Sequence, residues 1–107
     1  MGFIDINAID EKQLREGIKS RIISGEKIMM AFMEVAPGLN DPGHSHPHEQ
    51  CGIVLEGELE MTIGDDVKLI RKGDTYFIPG GQPHGARTKD KPCKVLDIFS
   101  PPREEYK

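Results

Sequence analysis

Gly38-Leu39-Asn40-Asp41-Pro42-Gly43-His44-Ser45-His46-Pro47-His48-Glu49-Gln50 holds three of the four histidines of the chain. Side chains two apart on an extended strand point the same way, so His44 and His46 aim both imidazoles at one place. Neutral imidazole is a good ligand for borderline divalent metals. Gln50 shares their parity. Pro47 breaks the strand before His48, which reads as a rim or supporting residue. The plainer alternative is a solvent-facing histidine loop. The fourth histidine, His84, follows the rigid loop Pro79-Gly80-Gly81-Gln82-Pro83. A closed barrel would bring it back across from the first cluster.

The residues around this stretch favour such a barrel. After Gly57, Leu59, Met61 and Ile63 alternate with Glu58, Glu60 and Thr62, the pattern of a strand with one face in a core and one in water. Further strands are predicted over Gln50 to Glu56, Val67 to Arg71, Thr75 to Ile78, His84 to Thr88 and Lys94 to Phe99. Gly64-Asp65-Asp66, Lys72-Gly73-Asp74 and Asp90 to Pro92 supply turns between them. Upstream, Ile18 to Ile23 reads as a strand, and Lys27 to Val35 is a nearly unbroken apolar run. About eight short strands at this spacing argue an all-β sandwich or barrel. Met1 to Gly17 is the least legible segment, either an irregular N-terminal arm or a short helix capped by Asp10 and stopped by Gly17.

The chain has 107 residues, the length of one domain, and 12 Gly with 8 Pro mark it as turn-rich. A net charge of -4 gives no basic face for nucleic acid or an anionic membrane. No run of about 20 apolar residues spans a bilayer. No leader is visible, and two cysteines fit a cytoplasmic protein with reduced thiols, although a Cys51–Cys93 disulfide stays open. By parity Cys51 points away from His44 and His46 and reads as a small buried residue. Cys93, in a turn, reads as exposed.

Gly38, His44-Ser45-His46, Gln50 and Gly57 resemble the first cupin motif, and Gly73, Pro79, Gly81 and His84 resemble the second. The resemblance implies a double-stranded β-helix, or jelly-roll barrel, over residues 1–107, holding one divalent ion on His44, His46, Gln50 and His84. Gln50 stands where most cupins have Glu. Glu49 beside it is a rival, and the spacing to Gly57 favours Gln50. Thr88 stands where some cupins carry Asn after the second motif. Three imidazoles and a neutral amide oxygen fit zinc, nickel, iron, manganese or cobalt.

A narrower resemblance covers most of the chain. His44-Ser45-His46-Pro47-His48-Glu49-Gln50, together with Leu96-Asp97-Ile98-Phe99-Ser100-Pro101-Pro102-Arg103-Glu104, is similar to the small cupins of pectin and alginate breakdown. These are taken to convert 4,5-unsaturated uronate monosaccharides toward their linear keto form. It implies that Asp97, Phe99 and Arg103 are the catalytic and substrate-binding residues and that the partner is a small sugar acid. The residues themselves are compatible. Asp97 and Phe99 share one strand face, and an Asp in an apolar strand needs a compensating partner. Arg103 offers a planar fork suited to a carboxylate. The competing classes are a non-enzymatic metal-binding cupin that holds a sugar or metabolite, and a cupin dioxygenase or isomerase of another substrate. Gly52 reads as keeping space near Gln50. In Lys27 to Val35, Ile28, Met30 and Phe32 make one apolar face and Met29, Ala31, Met33 and Val35 the other. One face fills the barrel, and the other then needs cover from a homodimer partner, or from the N-terminal arm.

Overall fold

The computed structural model describes residues 2–107. Met1, the first residue of the expected N-terminal arm, lies outside them. Among the described residues the chain forms ten strands: β1 Lys12–Arg15, β2 Ile18–Ser24, β3 Met29–Val35, β4 Asn40–His44, β5 Glu49–Glu56, β6 Glu58–Ile63, β7 Asp66–Arg71, β8 Thr75–Ile78, β9 His84–Arg87 and β10 Cys93–Ser100. They make a six-stranded sheet of order β1-β2-β3-β10-β5-β8 and a four-stranded sheet of order β4-β9-β6-β7. Every pairing in both sheets is antiparallel. The two sheets form the jelly-roll sandwich expected from the strand spacing. None of the described helices is long and apolar enough to cross a membrane.

Period-two alternation decides what enters the core. In β3, Met29, Ala31, Met33 and Val35 are buried while Met30 and Phe32 are half-covered on the opposite face. In β10, Cys93, Val95, Asp97 and Phe99 point inward. Val54, Leu59, Met61, Ile70 and Ile78 complete the apolar interior from β5, β6, β7 and β8. Each fully buried side chain of this size contributes roughly 1.5–3 kcal/mol. Thr88 ties the end of the barrel away from the histidines: its hydroxyl donates to Ala36 O at 2.6 Å and accepts from Leu39 N at 3.0 Å.

Three expectations are corrected. Residues 11–16 form no helix. Lys12–Arg15 is the edge strand β1, and among the described residues the only helical piece of the arm is the single turn Ile6–Ala8. A helix of one or two turns is marginal in water, whereas pairing with β2 supplies ladder hydrogen bonds and packs Leu14 against the core. Cys93 is buried, at 1% exposure, because β10 starts one residue earlier than expected and Cys93 takes its first inward position. Cys51 is only half-buried, on the outer face of the larger sheet, and both thiols are free. The strand β4 also escapes a sequence reading, since Asn40–His44 is polar and contains Pro42 and Gly43.

Gly57 joins β5 to β6 with φ +80°, and a Cβ there would lie 2.6 Å from the Pro92 carbonyl oxygen. Both the left-handed backbone and the contact oppose a side chain. Gly57→Ala is therefore expected to destabilise the barrel by about 1–3 kcal/mol, read from urea unfolding.

Candidate metal and substrate site

The first histidine sits at the end of β4. The β4–β9 register is irregular between Asp41 and His44, and this places His44 directly opposite His84, the first residue of β9. Their ring centroids are 4.4 Å apart. His46, in the turn before β5, lies 4.9 Å from His84 and 5.9 Å from His44, centroid to centroid. One nitrogen from each ring lies within 4.8 Å of the others, an arrangement that can hold a divalent ion. Gln50, the first inward residue of β5, is buried, with Oε1 3.1 Å from His46 Nε2. Its neighbour Glu49 is exposed on the opposite strand face.

The hydrogen bonds leave ring lone pairs facing this space. His84 Nδ1 donates to Gln82 O at 2.9 Å, and His84 Nε2 is buried without a partner among the described residues. His46 Nδ1 lies 3.2 Å from His48 O, which can only accept. The Nδ1–H tautomer then places a bare Nε2 against Gln50 Oε1, lone pair against lone pair, a clash that a cation resolves. His48 thus supports His46 through its carbonyl. Burial, the Arg103 charge and neighbouring His84 lower the His46 pKa to about 4, which keeps its ring neutral. Burial also lowers His44, against the opposing pull of Asp41. Asp41 Oδ2 is 3.0 Å from His44 Nδ1, though out of hydrogen-bond alignment, and is itself held by Arg15 at 2.9 Å. Three imidazoles with free nitrogens and one amide oxygen fit a divalent first-row ion.

Asp97, Phe99 and Arg103 line the same cavity as His44, Gln50 and His84. Asp97 is 5% exposed, and Tyr76 Oη donates to its Oδ1 at 2.5 Å. Burial raises its pKa to about 6, while Tyr76, the Gln50 side chain and the Arg103 charge pull it back. Phe99 meets His46 edge-on at 5.9 Å and Tyr106 at 5.7 Å. The Arg103 guanidinium lies over Phe99 and Tyr106, at 5.5 and 4.1 Å from the ring centroids. Its Nη1 donates to Tyr106 Oη at 2.8 Å, and its Nε and Nη2 donate to one oxygen of Glu105, at 2.9 and 2.5 Å. The space that Gly52 keeps near Gln50 is filled by Tyr76 and Asp97. A Cβ there would lie 2.4 Å from Tyr76 Oη and 2.6 Å from Asp97 Oδ1.

Four contributors went unread in the sequence: Asp41, Tyr76, Glu105 and Tyr106. The Thr75–Ile78 alternation did carry a signal for Tyr76, since it puts Tyr76 on the same inward face as Ile78. Asp41 sits in an irregular strand, and Glu105 and Tyr106 in a terminal turn, where no period applies. A separate surface hollow of about 1070 Å³ lies at the other end of β10, lined by mixed charges such as Glu34, Glu58, Arg87 and Lys91, and contains no histidine.

Comparison with known proteins agrees with this geometry. The cupin domain family model matches residues 31–99. The chain is a cupin. It is 29% identical over 97 residues to the pectin degradation protein KdgF of Dickeya dadantii, covering 89% of this cupin and 88% of that protein. The structure of KdgF from Halomonas sp. superposes with a TM-score of 0.91 at 25% identity, covering 100% of this cupin and 99% of that chain. The dimethylsulfoniopropionate lyase DddQ of Ruegeria pomeroyi is 40% identical over 73 residues, which span 66% of this cupin but only 36% of the lyase.

His84→Ala is expected to abolish tight binding of a divalent ion by this cupin, because it removes the orphaned Nε2. Asp41→Asn should weaken binding by about tenfold, the usual effect of a residue that orients a ligand. Competition against a chelator measures both.

Proposed function

We propose that this cupin converts 4,5-unsaturated uronate monosaccharides toward their linear keto form, using one divalent ion held by His44, His46, Gln50 and His84. The observation that carries the reading is one cavity that joins His44 and His84 of the histidine cluster, an inward carboxyl at Asp97 and the guanidinium of Arg103. The end-to-end similarity to KdgF proteins supports it.

When bound, the ion supplies a positive charge that polarises a substrate oxygen. Asp97 is the proton carrier. The reaction is an isomerisation: the C1 hydroxyl loses a proton and becomes a carbonyl, and the C1–O5 ring bond breaks. The C5 enolate so released then becomes a ketone as C4 gains a proton. A single carboxyl that first takes and then returns a proton balances the change. Arg103 binds the uronate carboxylate, and Phe99 packs on the sugar. The cavity is small, about 60 Å³. That is room for about four to six waters. A monosaccharide needs more, so the turn carrying Glu105 and Tyr106 swings aside and the substrate carboxylate replaces Glu105 on Arg103.

Gln50 is a neutral ligand in this reading. Gln50→Glu adds a negative charge beside the ion, so metal binding should tighten. A second carboxylate within several ångströms of the substrate opposes it by about 1 kcal/mol even at the dielectric of water. The kcat/KM is therefore expected to fall by about fivefold, followed as loss of the ultraviolet absorbance of the conjugated enol acid. Metal-loaded wild type that leaves every unsaturated uronate intact overturns the enzymatic reading in favour of a metal-dependent binding protein.

In the same reading this cupin is a cytoplasmic homodimer, with both thiols reduced. The outer face of the larger sheet carries exposed Ile28, Leu55 and Phe77 and half-buried Met30, Phe32, Leu96 and Ile98. A second copy related by a two-fold axis covers such a patch with itself. Light scattering should give a dimer at micromolar concentration, and Phe77→Glu should shift it to monomer.

A further inference from the structure

One buried polar group in the cavity has no part in the chemistry above. Tyr76 is 9% exposed, and its hydroxyl donates to Asp97 Oδ1 at 2.5 Å. The two residues are not on neighbouring strands. Tyr76 lies on β8 and Asp97 on β10, with β5 between them, and both are in register with the same residue, Gly52.

Two strand spacings separate their backbones, about 10 Å. A phenol and a carboxyl bridge that distance only by meeting above the middle strand. They meet over Gly52, where a Cβ would sit 2.4 Å from Tyr76 Oη and 2.6 Å from Asp97 Oδ1. Packing alone does not call for the hydroxyl, since Phe would fill the same volume. Burying the hydroxyl is favourable only because the carboxyl accepts from it. Gln50 and Arg103 also act on the Asp97 carboxyl. Tyr76, Asp97, Gln50 and Arg103 line one cavity with His44 and His84.

We propose that Tyr76 is a positioning residue for Asp97, holding its carboxyl in the cavity, and that Gly52 is the gap that lets the two meet. The inference rests on the reading of Asp97 as the proton carrier. It extends that reading by naming what fixes the carrier in place.

Tyr76→Phe keeps the ring and removes the tether. Its kcat on an unsaturated uronate should fall about 10- to 100-fold, the usual worth of a hydrogen bond to a charged group. KM and the affinity for the divalent ion should stay within about twofold, because neither Arg103 nor the histidines lose a contact. Gly52→Ala keeps both groups but wedges them apart, and should lower kcat in the same way. Wild-type kcat in Tyr76→Phe overturns the proposal. So does a loss of kcat that comes only with loss of metal or of folded signal, since that marks a merely structural pair. Crystal structures of wild type and Tyr76→Phe test the tether without any turnover: the Asp97 carboxyl should rotate away from its wild-type position, and an unmoved carboxyl overturns the proposal. If wild type consumes no uronate, the proposed reaction fails while the crystal structures still decide whether Tyr76 holds Asp97.

Discussion

The central constraint in this cupin is the two-residue period of β10, hydrogen-bonded on both sides by β3 and β5. A strand in the middle of a sheet has no freedom to slip, because a shift of one residue would turn every inward side chain outward. That shift would expose Val95 and Phe99 and bury Lys94. The apolar residues of β10 therefore lock the direction of the one that is not apolar, Asp97. A carboxyl is held in the interior by the burial of its neighbours.

The interior is consequently divided. Toward the Cys93 end of β10 it is packed with aliphatic side chains and methionines. Toward the Ser100 end Phe99, Met29 and Ile78 are joined by polar groups, with His46, Gln50, His84 and Asp97 all buried. Buried polar groups are tolerated only with partners. Backbone carbonyls at Gln82 and His48 satisfy one nitrogen each of His84 and His46 and leave the other aimed at the cavity. That division of labour fixes the rings and keeps a lone pair available. The Gln50 amide brings no anionic group to this cluster.

The C-terminal turn closes the other side of the cavity. Arg103 is satisfied by Glu105 and Tyr106, both from its own segment. The guanidinium is therefore paired within its own segment, with a partner carboxylate that is 62% exposed. In the proposed reading the substrate carboxylate takes the place of Glu105.

Local pattern determined a good deal from the residues alone. Alternation located β2 and β6, while an apolar run and the turn residues between segments located β3, β5 and β7 to β10. Parity put His44, His46 and Gln50 on one side, and the resemblance to the cupin motifs singled out His84 and favoured Gln50 over Glu49. Other features were decided by tertiary structure. The strand β1 exists because β2 offers it a ladder, and β4 because β9 does; neither carries an apolar period of its own. Cys93 is buried because β10 begins one residue early, a boundary set by pairing with Val35 of β3. The contact of Tyr76 with Asp97 across Gly52 joins residues on strands that are distant in sequence, and strand order is a property of the folded sheet. Sequence period specifies which way a side chain faces, and only the packing of strands specifies what it meets there.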